Sequence, residues 1–182
     1  MVEMTIYGVS FDLVGKQPIV LLKTAEGNRY LPIWIGHPEA AAILMKLQGA
    51  TAQRPLTHDL LMNILGELDV EVVRVTVTEL RENTFHASIT IAQNGSEVEI
   101  DSRSSDAIAV AVRAQAPIFA ADEVIEESAI EMEGDEVNED EVVDEFRRFL
   151  DKVSAEDFIE AEVEGDLLES DEEAEAETED DD

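Results

Sequence analysis

Along the first 130 positions, apolar and polar residues change rhythm between a period of two and a period near four. Residues 2–12 and 17–23 alternate as strands, with a turn between them at Val14-Gly15-Lys16. After the turn Glu26-Gly27-Asn28, residues 30–35 form a short apolar run. It is β-branched at Ile33 and Ile35 and holds the only tryptophan, Trp34, which predicts a buried strand. Gly36-His37-Pro38 breaks the run. Pro38 suits the first turn of a helix, where its missing N–H would have had no partner. Glu39 puts a carboxylate where the helix dipole favours one, and Ile43, Leu44 and Leu47 give that helix an apolar face ending near Gly49. A polar loop through Gln53-Arg54-Pro55 leads to a second helix over 58–66, with Thr57 as N-cap and Asp59 in the first turn. Residues 70–80, 84–92 and 96–101 predict three further strands, the last two joined by the hairpin signal Gln93-Asn94-Gly95.

The opening pattern then recurs. A displacement of 67 residues sets Leu31 on Val98, Ile33 on Ile100, Glu39 on Asp106, Ile43 on Val110 and Lys46 on Arg113. Ser104 or Ser105 takes the N-cap position, and a further helix around 122–130 follows Pro117 roughly as 58–66 follows Pro55. Two copies of a three-strand, two-helix unit, about 2–66 and 70–130, therefore predict an α+β fold. The economical form is one mostly antiparallel, six-stranded sheet, curled like a barrel, with helices packed on it. Exposed sheet edges or helix faces in such a fold favour a homo-oligomer.

Charge divides the chain differently. Residues 1–122 carry 15 acids and 9 bases, whereas 123–182 carry 29 acids and 3 bases, so most of the net charge of −32 lies at the C-terminal end. Within that end, Asn138 can cap a helix over 139–153 whose Val142, Val143, Phe146, Phe149, Leu150 and Val153 fall at helical spacing. The expected organisation is a domain over 1–132, a helical extension over 133–159, and a disordered acidic tail over 160–182. Lysine is scarce and the first 122 residues are themselves acidic, a balance that points to a salt-loving source. There is no cysteine, which excludes disulfides, thiolate metal sites and a cysteine nucleophile. No apolar run reaches membrane-spanning length and the N-terminus lacks a signal-peptide pattern, so a cytoplasmic location is expected.

Phosphate-loop, dinucleotide, zinc-protease and serine-hydrolase signatures are all absent, so any catalysis must come from a dispersed set of residues. His37 with Glu39, and His58 with Asp59, sit at predicted helix starts. Carboxylates and imidazoles so placed suit a divalent ion, magnesium or manganese, that polarises a phosphodiester and activates water. Arg54 and Arg103, on turns, suit bidentate contact with phosphate oxygens. The competing explanation is structural: Glu39, Asp59 and Asp106 complement helix dipoles, Arg54 pairs with Asp59 to pin a loop, and the histidines bond locally. His86, inside a strand, has a structural role.

The blocks LPIWIGHPEAAAI, RPLTHDLL, TFHASI and SRSSDAIAVAVRAQAPI, in this order, resemble the bifunctional nuclease (BFN) domain family over roughly residues 1–132. FRRFLDKVSAEDF is similar to that family's C-terminal extension, and Ser104 stands where the family commonly has proline. The resemblance implies a duplicated, barrel-like β3-α2 sheet and cleavage of DNA and RNA. It sets Glu39, Arg54, Thr57, His58, Asp59, Arg103, Ser105 and Asp106 on the family's recurring polar positions. The candidate site is thus His37, Glu39, Arg54, His58, Asp59, Arg103 and Asp106, with DNA or RNA as substrate. A chain of charge −32 repels a polyanion, so such a site needs a shielded, arginine-lined pocket. The alternative function is a non-catalytic, oligomeric binding or regulatory module.

Overall fold

The computed structural model describes residues 1–12, 17–50 and 52–131, all within one compact unit, Met1–Val143. The turn at 14–16, the helix expected over 139–153 and the acidic tail lie outside the described residues. Three antiparallel strands, β1 (Val2–Asp12), β2 (Gln17–Thr24) and β3 (Arg29–Trp34), lead into helix α1 (His37–Leu47), followed by α2 (Thr57–Glu67). A second antiparallel trio, β4 (Glu71–Arg81), β5 (Thr84–Gln93) and β6 (Ser96–Arg103), runs straight into α3 (Ser104–Ala114). The short elements β7 (Ile118–Ala120), α4 (Asp122–Ser128) and β8 (Ile130–Glu131) complete the described chain.

All eight strands form one sheet in the order β6-β5-β4-β7-β1-β2-β3-β8, not the six expected. The two extra strands lie before the helix expected around 122–130, where no element is expected, and at that helix's end. With three and two residues they are too short to carry a period. β7 joins the two trios: it pairs antiparallel with Val2–Met4 of β1 and parallel with Val75–Val77 of β4. The sheet is also not a closed barrel, because β6 and β8 remain its two ends. It does curl. α4 packs on both β4 and β3, which lie far apart in strand order, and bulges at Ile6/Gly8 in β1 and at Val72/Arg74 and Val77/Glu79 in β4 add local bend.

Turn chemistry explains the tight corners. Glu82 and Asn83 adopt φ of 49° and 58° between Arg81 and Thr84, and Asn94 and Gly95 adopt 52° and 80° between Gln93 and Ser96. Both are two-residue hairpins of the kind that matches strand twist. In β3, β8 covers only Arg29 and Tyr30, so Pro32 sits where the strand is an edge and a missing N–H is tolerated. Leu31 and Ile33 are fully buried. Trp34, expected to be buried with them, is 51% exposed because it alternates onto the other face.

The core is aliphatic. Val20, Leu22, Ile43, Val75, Val77, Ile108 and Val110 are among its most buried side chains, and α3 lies centrally, packed against α1, α2, β4 and β5. Its sequence SSDAIAVAVRA keeps small residues on the crowded faces, which lets helices and sheet approach closely. The helix starts differ from expectation by one residue. Leu56, not Thr57, is the N-cap of α2, and Arg103, not a serine, is the N-cap of α3, so Thr57, Ser104 and Ser105 lie inside first turns. Among the described residues no helix is long and apolar enough to cross a membrane.

Candidate active site at three helix N-termini

The N-terminal turns of α1, α2 and α3 meet, and the side chains that join them are largely those singled out from sequence. Arg103, at the β6–α3 junction, donates from Nη2 to Glu39 Oε1 at 2.9 Å and from Nε to Asp106 Oδ2 at 2.7 Å. The other oxygen of Asp106 accepts from His58 Nε2 at 3.0 Å. A continuous chain, Glu39–Arg103–Asp106–His58, therefore spans first turns separated by up to 67 residues in sequence. Gly36 makes room for it: a Cβ there would collide with the Glu39 carboxylate. The Glu39 and His58 side chains are only 15% and 12% exposed, whereas the Arg103 guanidinium is 66% exposed.

The cluster sets its own charge states. Desolvation pushes Asp106 up, but the hydrogen bonds from Arg103 and His58 and their charges prevail, holding its carboxyl below the ordinary value of 3.8. In turn, the hydrogen bond to Asp106 raises Arg103 above its ordinary range, against desolvation and with help from the charges of Asp106 and Glu39. With Asp106 ionised, His58 donates through Nε2–H, a bond that in a neutral imidazole places the lone pair on Nδ1.

A second bonded group lies beside the first. Asp59 accepts from the Leu56 amide at 3.0 Å and from Arg113 Nε at 2.7 Å. Arg113 also donates to the carbonyls of Ala109 and Ala42, at 3.0 and 3.3 Å, so one guanidinium holds α1, α2 and α3 together. Its side chain is 4% exposed. Burial raises Asp59, and the bonds from Arg113 and Leu56 and the charges of Arg113 and Lys46 more than offset it, leaving the carboxyl lowered. The pairing considered from sequence, Arg54 with Asp59, does not occur; Arg113 takes that place. Arg54 instead lines an open cleft of about 270 Å³ with Lys46, Gln53, Asp59, Asn63 and Arg113.

His37 stands beside Phe11, their ring centroids 6.0 Å apart, and the bonds from Glu39 to His58 do not run through it. His86 lies against Arg81, 3.3 Å from Nη2 to Nδ1. Sequence reasoning missed Arg113, which resembled Lys46 as a base ending a helix. A lone cation in an otherwise small, apolar helix was the available sign of a buried partner.

The cluster does not suit a divalent ion. Among the described residues no three histidine or acidic side chains gather as metal donors. Glu39, Asp106 and Asp59 are already bonded to guanidinium groups, so no chemistry is routed through the magnesium or manganese expected from sequence. What the arrangement offers is an exposed cation beside a carboxylate-oriented imidazole.

Residues 20–133 match the bifunctional nuclease domain. The chain is also 39% identical over 163 residues to Uncharacterized protein MT1877 and Uncharacterized protein Rv1829 of Mycobacterium tuberculosis, strains CDC 1551 / Oshkosh and H37Rv. That similarity covers 86% of this chain and 97% of each relative. With most of the described sheet and all four described helices inside the matched span, the chain belongs to the bifunctional nuclease domain family.

Proposed function

We propose that this protein is a nuclease that hydrolyses phosphodiester bonds of DNA and RNA at the Glu39–Arg103–Asp106–His58 cluster. The observation that carries this reading is the His58–Asp106 hydrogen bond beside an exposed arginine. Hydrolysis needs a base for water and positive charge for the phosphoryl oxygens. His58 Nδ1 takes the proton of the attacking water as its oxygen bonds to phosphorus. The ester bond on the opposite side breaks, and the leaving oxygen takes a proton from solvent. Asp106 holds His58 in the tautomer this requires and, remaining ionised, stabilises the imidazolium that forms. Arg103 supplies the charge at phosphorus through Nη1, which donates to nothing among the described residues. Glu39 positions Arg103.

The test is cleavage of labelled single-stranded DNA and RNA by the full chain and by His58→Ala and Asp106→Asn, with folding checked by circular dichroism. General-base catalysis contributes roughly 10²–10⁴-fold. Both variants should lose about that much while remaining folded, and wild-type cleavage should survive EDTA. Folded variants that cut as fast as wild type overturn the assignment.

One observation favours the alternative, a self-associating module without turnover. No residue of α2 is fully buried, and Leu60, Leu61, Ile64 and Leu68 stand 39–57% exposed along it. An apolar helix face of this kind supports pairing with a second copy. Self-association and cleavage are compatible; absence of turnover on every nucleic acid would leave the module reading alone.

A further inference from the structure

A second cleft, of about 330 Å³, opens beside Arg103, between the β2–β3 end and the β4–β5 hairpin. Its walls include Gln17, Trp34, Asn83, Phe85, Arg103 and Ser105. Three features set it apart. First, none of its described lining residues is acidic, although 44 of the 182 residues in the chain are Asp or Glu. A phosphate approaching this cleft meets Nη1 of Arg103, the nitrogen not engaged by Glu39 or Asp106, and the first turn of α3, where N–H groups lack intrahelical partners and the N-cap side chain makes no capping bond. Second, the only tryptophan of the chain leaves half its surface in solvent here, although an indole is usually well covered. Third, Asn83, held at positive φ in the hairpin, and Gln17 add amide groups that both donate and accept.

A flat aromatic face, amide hydrogen-bonding groups and a cation next to a helix start are what one nucleotide with its phosphate requires. We infer that this cleft seats an unpaired base, stacked on Trp34, and presents the adjoining phosphate to Arg103. The substrate is accordingly single-stranded nucleic acid. In a duplex both faces of each base are already stacked, so a fixed indole has nothing to engage. This inference rests on the nuclease reading for its purpose, since Arg103 is shared between the cleft and the His58–Asp106 cluster, but binding can be measured without cleavage.

The lone tryptophan supplies the readout. Titrating the full chain with an oligothymidylate 12-mer should quench Trp34 fluorescence saturably, and a 12-base-pair duplex should need at least tenfold higher concentration. In anisotropy measurements with a labelled 12-mer, Trp34→Ala should bind roughly tenfold more weakly, the loss expected for one stacked base, and Trp34→Phe should recover part of it. Equal binding of duplex and single strand, or unchanged affinity in Trp34→Ala, overturns the inference. Quenching without any cleavage leaves the cleft standing and removes the nuclease reading. Cleavage by a Trp34→Ala variant with unchanged KM does the reverse.

Discussion

Arg113 and Asp59 show how much one pair can hold. The guanidinium is nearly inaccessible and makes three hydrogen bonds to three helices, so its removal takes a donor from two helix carbonyls and from one oxygen of the Asp59 carboxylate. Arg113→Met should cost about 3 kcal/mol of stability, at the lower end for breaking a buried pair because Asp59 keeps some contact with water. Urea unfolding measures it. The lowered carboxyls of Asp59 and Asp106 add a pH dependence. Their folded values lie below the unfolded ones, so they stabilise the fold fully above the ordinary carboxylate value of 3.8 and lose that contribution as pH falls through the folded values. The urea midpoint should hold from pH 7 to about 5 and fall towards pH 3. It should fall less in the doubly substituted Asp59→Asn, Asp106→Asn protein. Composition and spacing disclosed Glu39, Asp59 and Asp106 as first-turn acids. The partners of Glu39 and Asp59 were hidden, because Arg103 meets Glu39 across 64 residues and Arg113 meets Asp59 across 54, contacts that no local period encodes.

At the scale of elements, long segments were legible and short ones were not. The eleven-residue strands and helices declare themselves through alternation or through apolar residues three and four apart. β7 and β8 exist only because β1, β4 and β3 offer edges to them, and an edge is a property of the assembled sheet. α2 presents the opposite case. Leu60, Leu61 and Ile64 were legible as an apolar face, yet the described residues leave that face largely in solvent. If it is where two copies meet, Leu60→Glu with Ile64→Glu should convert the assembly to monomer by light scattering. The exposed positions should make the cost to thermal stability small, about 1 kcal/mol or less. Unchanged mass in the double variant would assign the contact elsewhere.

For the whole molecule the deciding quantity is charge. Ordinary nucleic-acid binders lose affinity steeply with salt because each neutralised phosphate releases counterions. Here Arg103 accounts for about one such contact, while a net charge of −32 repels the ligand at long range. Raising salt shortens that repulsion, from about 10 Å at 0.1 M to about 3 Å at 1 M. Affinity for the 12-mer should therefore stay level or rise between 0.1 and 1 M salt. A fall of a hundredfold or more would point to several unseen phosphate contacts.

The three residues of β7 carry a consequence for the order in which the chain is made. Every bonded member of the cluster, from Glu39 to Arg113, precedes Ile118 in the chain. A growing polypeptide can therefore assemble both strand trios, and present both halves of the site, before it contains the strand that joins them. Before Ile118–Ala120 pairs with β1 and β4, the packing of α3 on α1 and α2 and the bonds of Arg103 and Arg113 are what can hold the two trios together. The cluster can therefore form before the sheet is continuous, with β7 sealing the seam between the trios afterwards.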